Sequence, residues 1–429
     1  MSKEARLRRG VIGIVAAAAV VVLTAACSGG GNSSDSGKVT LEFSQWWAQE
    51  LPKGKLQSIV DGFEKKNPNI TVKLISQPFA TLQDQTTSAA ASNTLADVVG
   101  LDGAWVNPLH KQNAIANLST LMKSAKYDDS ELSSQVQLEG STYMIPVVNF
   151  VYPLFTNDEL LQKAGVDSPP STRSEFLAAA TAISEKTQAK GWILPLGTTN
   201  PNGVQNDVMS WVWASGGSML TKAGKPDLTD KDVKSAVDYV KSLYDANAIA
   251  AGPFTLQETD KSTQFTNGQV GMMIDSLAHI TTIEKANPNL KFSISAIPAE
   301  DGFSGKRGIP YASWGIGVSN KTQHKAEAWK FVQYLLSSKV NSEMSTAANG
   351  FPVNKKASPT FSGTGADLYK KAFEIYQAGY PANEFVGLPE ADTLMRDFDT
   401  EYQKALSGDE STSAMLKNVQ TQWKSVFSG

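Results

Sequence analysis

Residues 38–102, KVTLEFSQWWAQELPKGKLQSIVDGFEKKNPNITVKLISQPFATLQDQTTSAAASNTLADVVGLD, decide the fold. Val39, Leu41 and Phe43 alternate with polar neighbours, which predicts a strand running out into Trp46-Trp47. Leu56, Ile59, Val60 and Phe63 recur at helical spacing over residues 53–67, and Pro68 ends that helix. ITVKLIS (70–76) reads as a second strand, residues 79–92 as a polar-alanine helix, and ADVVGLD as a third strand ending at Asp102. Strands alternating with helices at this spacing predict a parallel α/β layer. Ligands of open α/β sheets bind outside the carboxyl ends of the strands. Trp46, Trp47, Asp102 and Trp105 are therefore expected along one edge, although the sequence holds them more than 50 residues apart. An aspartate after a strand also suits a turn or helix cap, and for Asp102 both readings stay open.

The same pattern continues downstream. YMIPVVNFVYPLF (143–155) is an aromatic, β-branched run interrupted by Pro146 and Pro153, the composition of a strand that crosses between two lobes. Residues 158–190 read as two helices; the second opens after PPSTRSEF, where Ser171 or Thr172 caps and Glu175 closes a capping box. GWILPLG (191–197), QVGMMID (269–275), KFSISAIP (291–298) and YASWGIGVS (311–319) read as strands. Residues 206–214 and 276–286 read as short helices, and Thr229 is a candidate cap for a helix over 230–247. From Lys321 the chain is mostly helical, with segments near 366–378, 389–407 and 412–427. The expected architecture is α/β with two lobes and added C-terminal helices. The strand segments at 143–155, 269–275 and 311–319 are the expected crossings. Residues 38–147 and 276–312 are assigned to the first lobe, 148–275 and 313–429 to the second.

At the N-terminus, Lys3, Arg6, Arg8 and Arg9 precede an uncharged run from Val11 to Ala26, which is the layout of an export signal and short for a membrane span. Cys27, the only cysteine of 429 residues, closes the run and is followed by a Gly/Ser/Asn-rich stretch, Ser28–Gly37. Leu23-Thr24-Ala25-Ala26-Cys27 resembles the lipobox of bacterial lipoproteins, with Thr24 where that motif usually has Leu. The expectation is a signal peptide over 1–26, a lipid on Cys27 and a flexible linker over 27–37. An ordinary cleaved signal is the alternative. The remaining chain carries 35 basic and 41 acidic residues, a mildly acidic balance that argues against nucleic acid as a partner. With its single cysteine at the anchor, the fold has no internal disulfide.

Composition also weighs against chemistry. The three histidines, His110, His279 and His324, are far apart and form no metal-ligand spacing. There is no GxGxxG or GxxxxGK[ST] loop and no G-x-S-x-G elbow. No catalytic residue, cofactor or metal is expected. Of nine tryptophans, Trp46, Trp47, Trp105, Trp211, Trp213 and Trp314 sit in polar or Gly-rich surroundings. Broad, rigid aromatic faces stack on the C–H faces of sugar rings. A half-buried core tryptophan is the competing reading for each.

GSTYMIPVVNFVYPLFTNDELLQKAGVDSPPSTRSEFLAAA (140–180), WVWASGGSML (211–220), FTNGQVGMMID (265–275), KAEAWKFVQYLL (325–336) and GFPVN (350–354) occur in the order found in one family. The chain resembles the extracellular solute-binding proteins of ABC-type importers, in the sugar and oligosaccharide branch with the maltose-binding protein fold. Phe155, Asn157, Gly165, Pro169, Pro170 and Thr172 fill the family's most recognisable positions. The chain departs from it at Leu277-Ala278-His279, where many relatives carry a Trp, and at Trp314, which precedes a single Gly315 instead of a glycine pair. The resemblance implies capture of a mono- or oligosaccharide between two lobes and its delivery to an ABC permease by a monomer on the outer face of the membrane. Trp46, Trp47, Asp102 and Trp105 would contribute from the first lobe. Tyr143, Asn149, Trp211, Trp213, Asp275 and Trp314 would contribute from the crossings and second lobe, with Asn383 and Glu390 before a C-terminal helix. Another solute (a polyamine, phosphate ester, peptide or metal) on the same fold, and an exported polysaccharide enzyme, are the alternatives.

Overall fold

The structure is a computed structural model that describes residues 37–428. The signal segment and Cys27 lie outside the described residues. Among the described residues twelve strands form in chain order: β1 (Val39–Gln45), β2 (Ile70–Ser76), β3 (Val98–Leu101), β4 (Val136–Leu138), β5 (Ser141–Val151), β6 (Leu154–Asn157), β7 (Lys190–Trp192), β8 (Val270–Ile274), β9 (Phe292–Ser295), β10 (Gly308–Val318), β11 (Phe351–Pro352) and β12 (Tyr380–Ala382). They build two sheets. The larger runs β11-β5-β10-β3-β1-β2, with β4 on β5 and β12 on β10; the smaller runs β7-β8-β6-β9.

β1 pairs in parallel with both β2 and β3, as the alternation of strands and helices over 38–102 predicts. The carboxyl ends of these strands therefore share one edge. β10 is antiparallel to β3 and to β5 and lies between them. At Trp314/Gly315 the register of β10 against β5 shifts. Such a bulge bends a strand and re-aims a side chain. A Cβ at Gly315 would stand 2.2 Å from the Met144 sulfur, so any larger residue there must displace that buried side chain.

The first sheet carries its own core. Leu41, Phe43, Val98, Val148 and Ile316 pack with Ile59, Val60 and Phe63 of helix Lys55–Lys66 and with Ala328, Phe331 and Val332 of helix Lys325–Leu336. The second sheet packs on helix Arg173–Lys186 and shares one core with helices Lys231–Asp245, Ala391–Ser407 and Thr412–Ser428. On its other side Phe155, Phe265, Ile280 and Ile294 meet Ile309, Phe351 and Tyr369. The capping box at Thr172 and Glu175 is present, whereas helix Lys231–Asp245 is capped by the side chain of Asp230 rather than by Thr229.

Pairing redraws the expected lobe boundaries. Residues 276–312 were assigned to the first lobe, yet β9 pairs with β6 in the second sheet, and Leu277, Ile280 and Ile283 pack with Phe155. Residues 313–353, assigned to the second lobe, hold the half of β10 that pairs with β3, and helices whose apolar stripes cover the first sheet. Val270–Ile274 is no crossing, because β8 sits between β7 and β6 and the chain stays with that sheet on both sides. A strand's apolar pattern says that it is buried, not which sheet buries it. The segment Val151–Leu154, with Pro153 at its centre, does pass from one sheet to the other. Among the described residues no helix is long and apolar enough to cross a membrane.

Candidate functional site

A cleft opens where the carboxyl edge of the first sheet faces the second lobe. It has two compartments that share Phe79, Asp102, Tyr152, Ala312 and Ser313. The larger, about 340 Å³, adds Gln83, Trp105, Thr199, Asn200, Asn202, Gln205, Asn206, Asn383, Phe385, Asp392 and Arg396. The smaller, about 210 Å³, adds Trp46, Glu50, Phe150, Ser276 and Trp314.

The aromatic wall is built in layers. Trp46 stands 5.2 Å from Phe79 and 5.7 Å from Trp105, and Phe79 stacks on Trp105 at 5.4 Å. Phe79 is nearly half exposed (46%), unusual for so large an apolar side chain and consistent with a face left open for contact. Trp314 stacks on Trp47 at 5.6 Å, with 11° between the rings, and meets Phe150 edge-on. Glu50 sits at the end of the short helix Trp47–Glu50 and accepts a 3.1 Å hydrogen bond from the Trp314 indole nitrogen. Burial pushes the Glu50 carboxyl above its ordinary range, opposed by hydrogen bonds from Trp314 and Trp46. The Glu50 carboxylate thus braces the Trp314 ring of the smaller compartment.

The two readings of Asp102 prove compatible. Its Oδ1 accepts from Ala104 N at 2.9 Å, capping the turn Gly103–Trp105, and the same side chain lines both compartments. Burial raises its pKa, the Ala104 N–H opposes the rise, and Asp392 across the larger compartment adds to it.

Of the twelve candidates, Trp46, Asp102, Trp105, Trp314 and Asn383 line the cleft. Asn383 also fixes its own turn, donating to Tyr311 O and accepting from Phe385 N. Trp47 is fully buried behind Trp314. Trp211 is core, packed on Phe176, Trp192 and Tyr239, with its indole N–H on Asp207 O. Trp213 is likewise buried, its N–H on Glu384. Asn149 lies near the C-terminal end of β5, buried and bonded to the Tyr376 hydroxyl. Tyr143 packs on His110, outside the cleft lining. Asp275 is buried beside the cleft, whose lining takes its neighbours Ser276 and Ala278. Glu390 is exposed with a positive φ at the start of its helix; the next turn supplies Asp392, Met395 and Arg396 instead. Tryptophans in apolar-polar mixtures were ambiguous by sequence, and the second lobe's are packing residues.

The residues missed are mainly polar. TTNPNGVQN (198–206) follows β7 and a short extended segment, and its Asn, Pro and Gly content marks a loop. It forms a wall of the larger compartment, held by Arg396 on Thr198 O and by Gln257 on Asn200 N. It runs into a π-turn over Val204–Val208. Among the described residues there is no group of three or more His, Cys, Asp or Glu side chains able to hold a metal ion.

Asp275 carries a titratable partner. Its Oδ1 accepts from Ser276 N at 2.7 Å and its Oδ2 lies 2.9 Å from His279 Nδ1. Burial would lower the His279 pKa, but Asp275 outweighs it and holds the value above the ordinary 6.5. A raised histidine pKa stabilises the fold fully below the unfolded value, and that stability is lost as pH rises through the folded value. The Tm of the wild type is therefore expected to fall as pH rises from about 6.5 upward, and His279→Gln to flatten that slope. The effect is modest because the ring is partly exposed. Identical slopes in the two proteins would refute the coupling.

The sequence profile of the bacterial extracellular solute-binding protein family matches residues 47–342. The diacetylchitobiose binding protein DasA of Streptomyces coelicolor is 26% identical over 309 residues, 69% of this chain and 68% of that one. A binding protein of Brucella abortus is 26% identical over 328 residues, 75% of this chain and 78% of its own length. The crystal structure of the cyclic alpha-maltosyl-1,6-maltose binding protein from Arthrobacter globiformis superposes with a TM-score of 0.76 at 19% identity, covering 91% of this chain and 99% of that one. The profile match spans well over half the chain, the two-lobed fold agrees with it, and the chain belongs to the bacterial extracellular solute-binding protein family.

Proposed function

We propose that the cleft captures a mono- or oligosaccharide and that the loaded protein delivers it to an ABC permease, without covalent chemistry. The observation that carries this reading is the composition of the cleft. Trp46, Phe79, Phe150 and Trp314 provide flat apolar faces, while Glu50, Asp102, Ser313 and the amides of Asn200, Asn202, Gln205 and Asn206 provide hydrogen-bonding groups. Sugar rings need both kinds of contact. The ligands named for the Streptomyces and Arthrobacter relatives support a sugar here. A ligand touching both lobes favours the closed state by its differential affinity. Lipid on Cys27 would tether a monomer to the outer face of the membrane, and Cys27→Ser is expected to release it.

A thermal-shift screen tests the reading. Maltotriose, chitobiose and glucose are the sugar probes, with spermidine and amino acids beside them. A ligand at 100 times its Kd adds about 2.7 kcal/mol to stability and raises Tm. Sugar recovered unchanged after incubation is expected, and a Tm unmoved by every sugar would overturn the substrate class. One observation favours a second reading: Glu50 and Asp102 line the smaller compartment with no lysine or arginine beside them. A shift with spermidine alone would make the solute a polyamine.

A further inference from the structure

Lys261 is buried completely, in the middle of helix Glu258–Thr266, behind the second lobe's face of the cleft. Its ammonium donates to Asp207 Oδ2 at 2.9 Å and to the Ile274 carbonyl at 2.7 Å, and lies 2.7 Å from Glu258 Oε2. All three donors of a lysine are thereby used. Burial would lower its pKa, but Asp207, Glu258 and Asp275 outweigh that and keep it charged.

Two of these partners belong to different walls. Asp207 lies in the π-turn Val204–Val208, and the residues just before it, Gln205 and Asn206, line the larger compartment. Ile274 ends β8, two residues before Ser276, which lines the smaller one. Neither Lys261 nor Asp207 touches the cleft itself. The π-turn is held from a second direction by the Trp211 indole N–H on Asp207 O. Single π-turns are uncommon and are frequently found at functional sites. Asp399, buried on helix Ala391–Ser407, lies near Asp207 and Glu258, and burial raises the carboxyls of both Asp207 and Asp399 well above their ordinary range.

We propose that Lys261 is a positioning residue of the binding cleft: its ammonium ties the π-turn wall at Gln205 and Asn206 to the end of β8 and sets the spacing of the two compartments. This rests on the binding function proposed above. The tie is local, so its loss acts on the turn before it acts on the first lobe.

Hydrogen exchange on the ligand-free protein tests it directly. In Lys261→Met, amides of residues 199–208 are expected to exchange at least about tenfold faster while those of β1–β3 keep the wild-type rate. Asp207→Asn is the milder variant. It leaves Lys261 its contacts with Glu258 and Ile274, and faster exchange is then expected in the turn but not at the end of β8. If Lys261→Met does not fold, Asp207→Asn decides alone. Wild-type exchange across 199–208 in a folded variant, or equal acceleration in β1–β3, would overturn the proposal. Affinity for maltotriose and chitobiose is measured in parallel. A folded variant is expected to lose at least about tenfold in affinity for whichever sugar the wild type binds, and undiminished affinity would overturn the positioning role. A wild type that binds neither sugar counts against those ligands, and the exchange rates still decide the tie.

Discussion

Trp314→Ala is expected to weaken sugar binding by at least about thirtyfold, which corresponds to about 2 kcal/mol, the scale of an aromatic hot spot. Three features of its setting carry this expectation. It lines the smaller compartment beside the register shift of β10 against β5, Trp47 backs it face to face, and Glu50 fixes the edge of its ring through the indole nitrogen. The substitution also empties a site that is 4% exposed. Truncating a buried aromatic to Ala costs about 3–5 kcal/mol of stability, so urea midpoints must be measured beside the titrations. Trp314→Phe separates the contributions. It keeps a ring on Trp47 but removes the hydrogen bond to Glu50, so most of the stability should return while binding stays impaired. Calorimetric titration of both variants with the sugar that shifts Tm provides the check. Wild-type affinity in a folded Trp314→Ala variant would remove the platform from the mechanism.

Gly203→Ala is expected to be the most damaging of small substitutions near the cleft. A Cβ at Gly203 would stand 1.7 Å from the carbonyl oxygen of Pro195. That neighbour is backbone, held in the chain that feeds the cleft wall, and cannot rotate aside as a side chain would. Overpacking of this kind typically costs about 1–3 kcal/mol and occasionally more. The strain would be relieved by moving residues 199–206 outward, which carries Asn200, Asn202, Gln205 and Asn206 away from the ligand. Lower stability and weaker binding should therefore appear together, with the same sugar and the same denaturant series as the test. Unchanged affinity in a destabilised variant would show that the loop position does not matter for capture.

These two sites differ in how far they could be read beforehand. Trp314 stood out as an aromatic in a Gly-rich strand, and the edge occupied by Trp46, Asp102 and Trp105 followed from strand order alone. Gly203 and the amides around it did not stand out. A loop of Asn, Pro and Gly is legible as a loop, but whether it faces solvent or a ligand depends on the partner it meets, here Arg396 from a helix almost 200 residues away in sequence. Trp211 and Trp213 show the converse. Their setting beside Gly216-Gly217 suggested exposure, yet Phe176, Trp192 and Glu384 enclose them. Glu390 was one helical turn from the side chains that do reach the cleft.

Local periodicity in the sequence by itself determined the elements, the parallel start of the first sheet and the edge where the cleft lies, because apolar spacing and strand–helix alternation are properties of neighbouring residues. Only the tertiary structure decided which sheet receives β9 and β10, which tryptophans line the cleft and which are packing, and that Lys261 reaches Asp207. Those outcomes depend on pairing and burial between segments 54 to 264 residues apart. An apolar or charged side chain must be buried or paired somewhere, and its local sequence does not say against what.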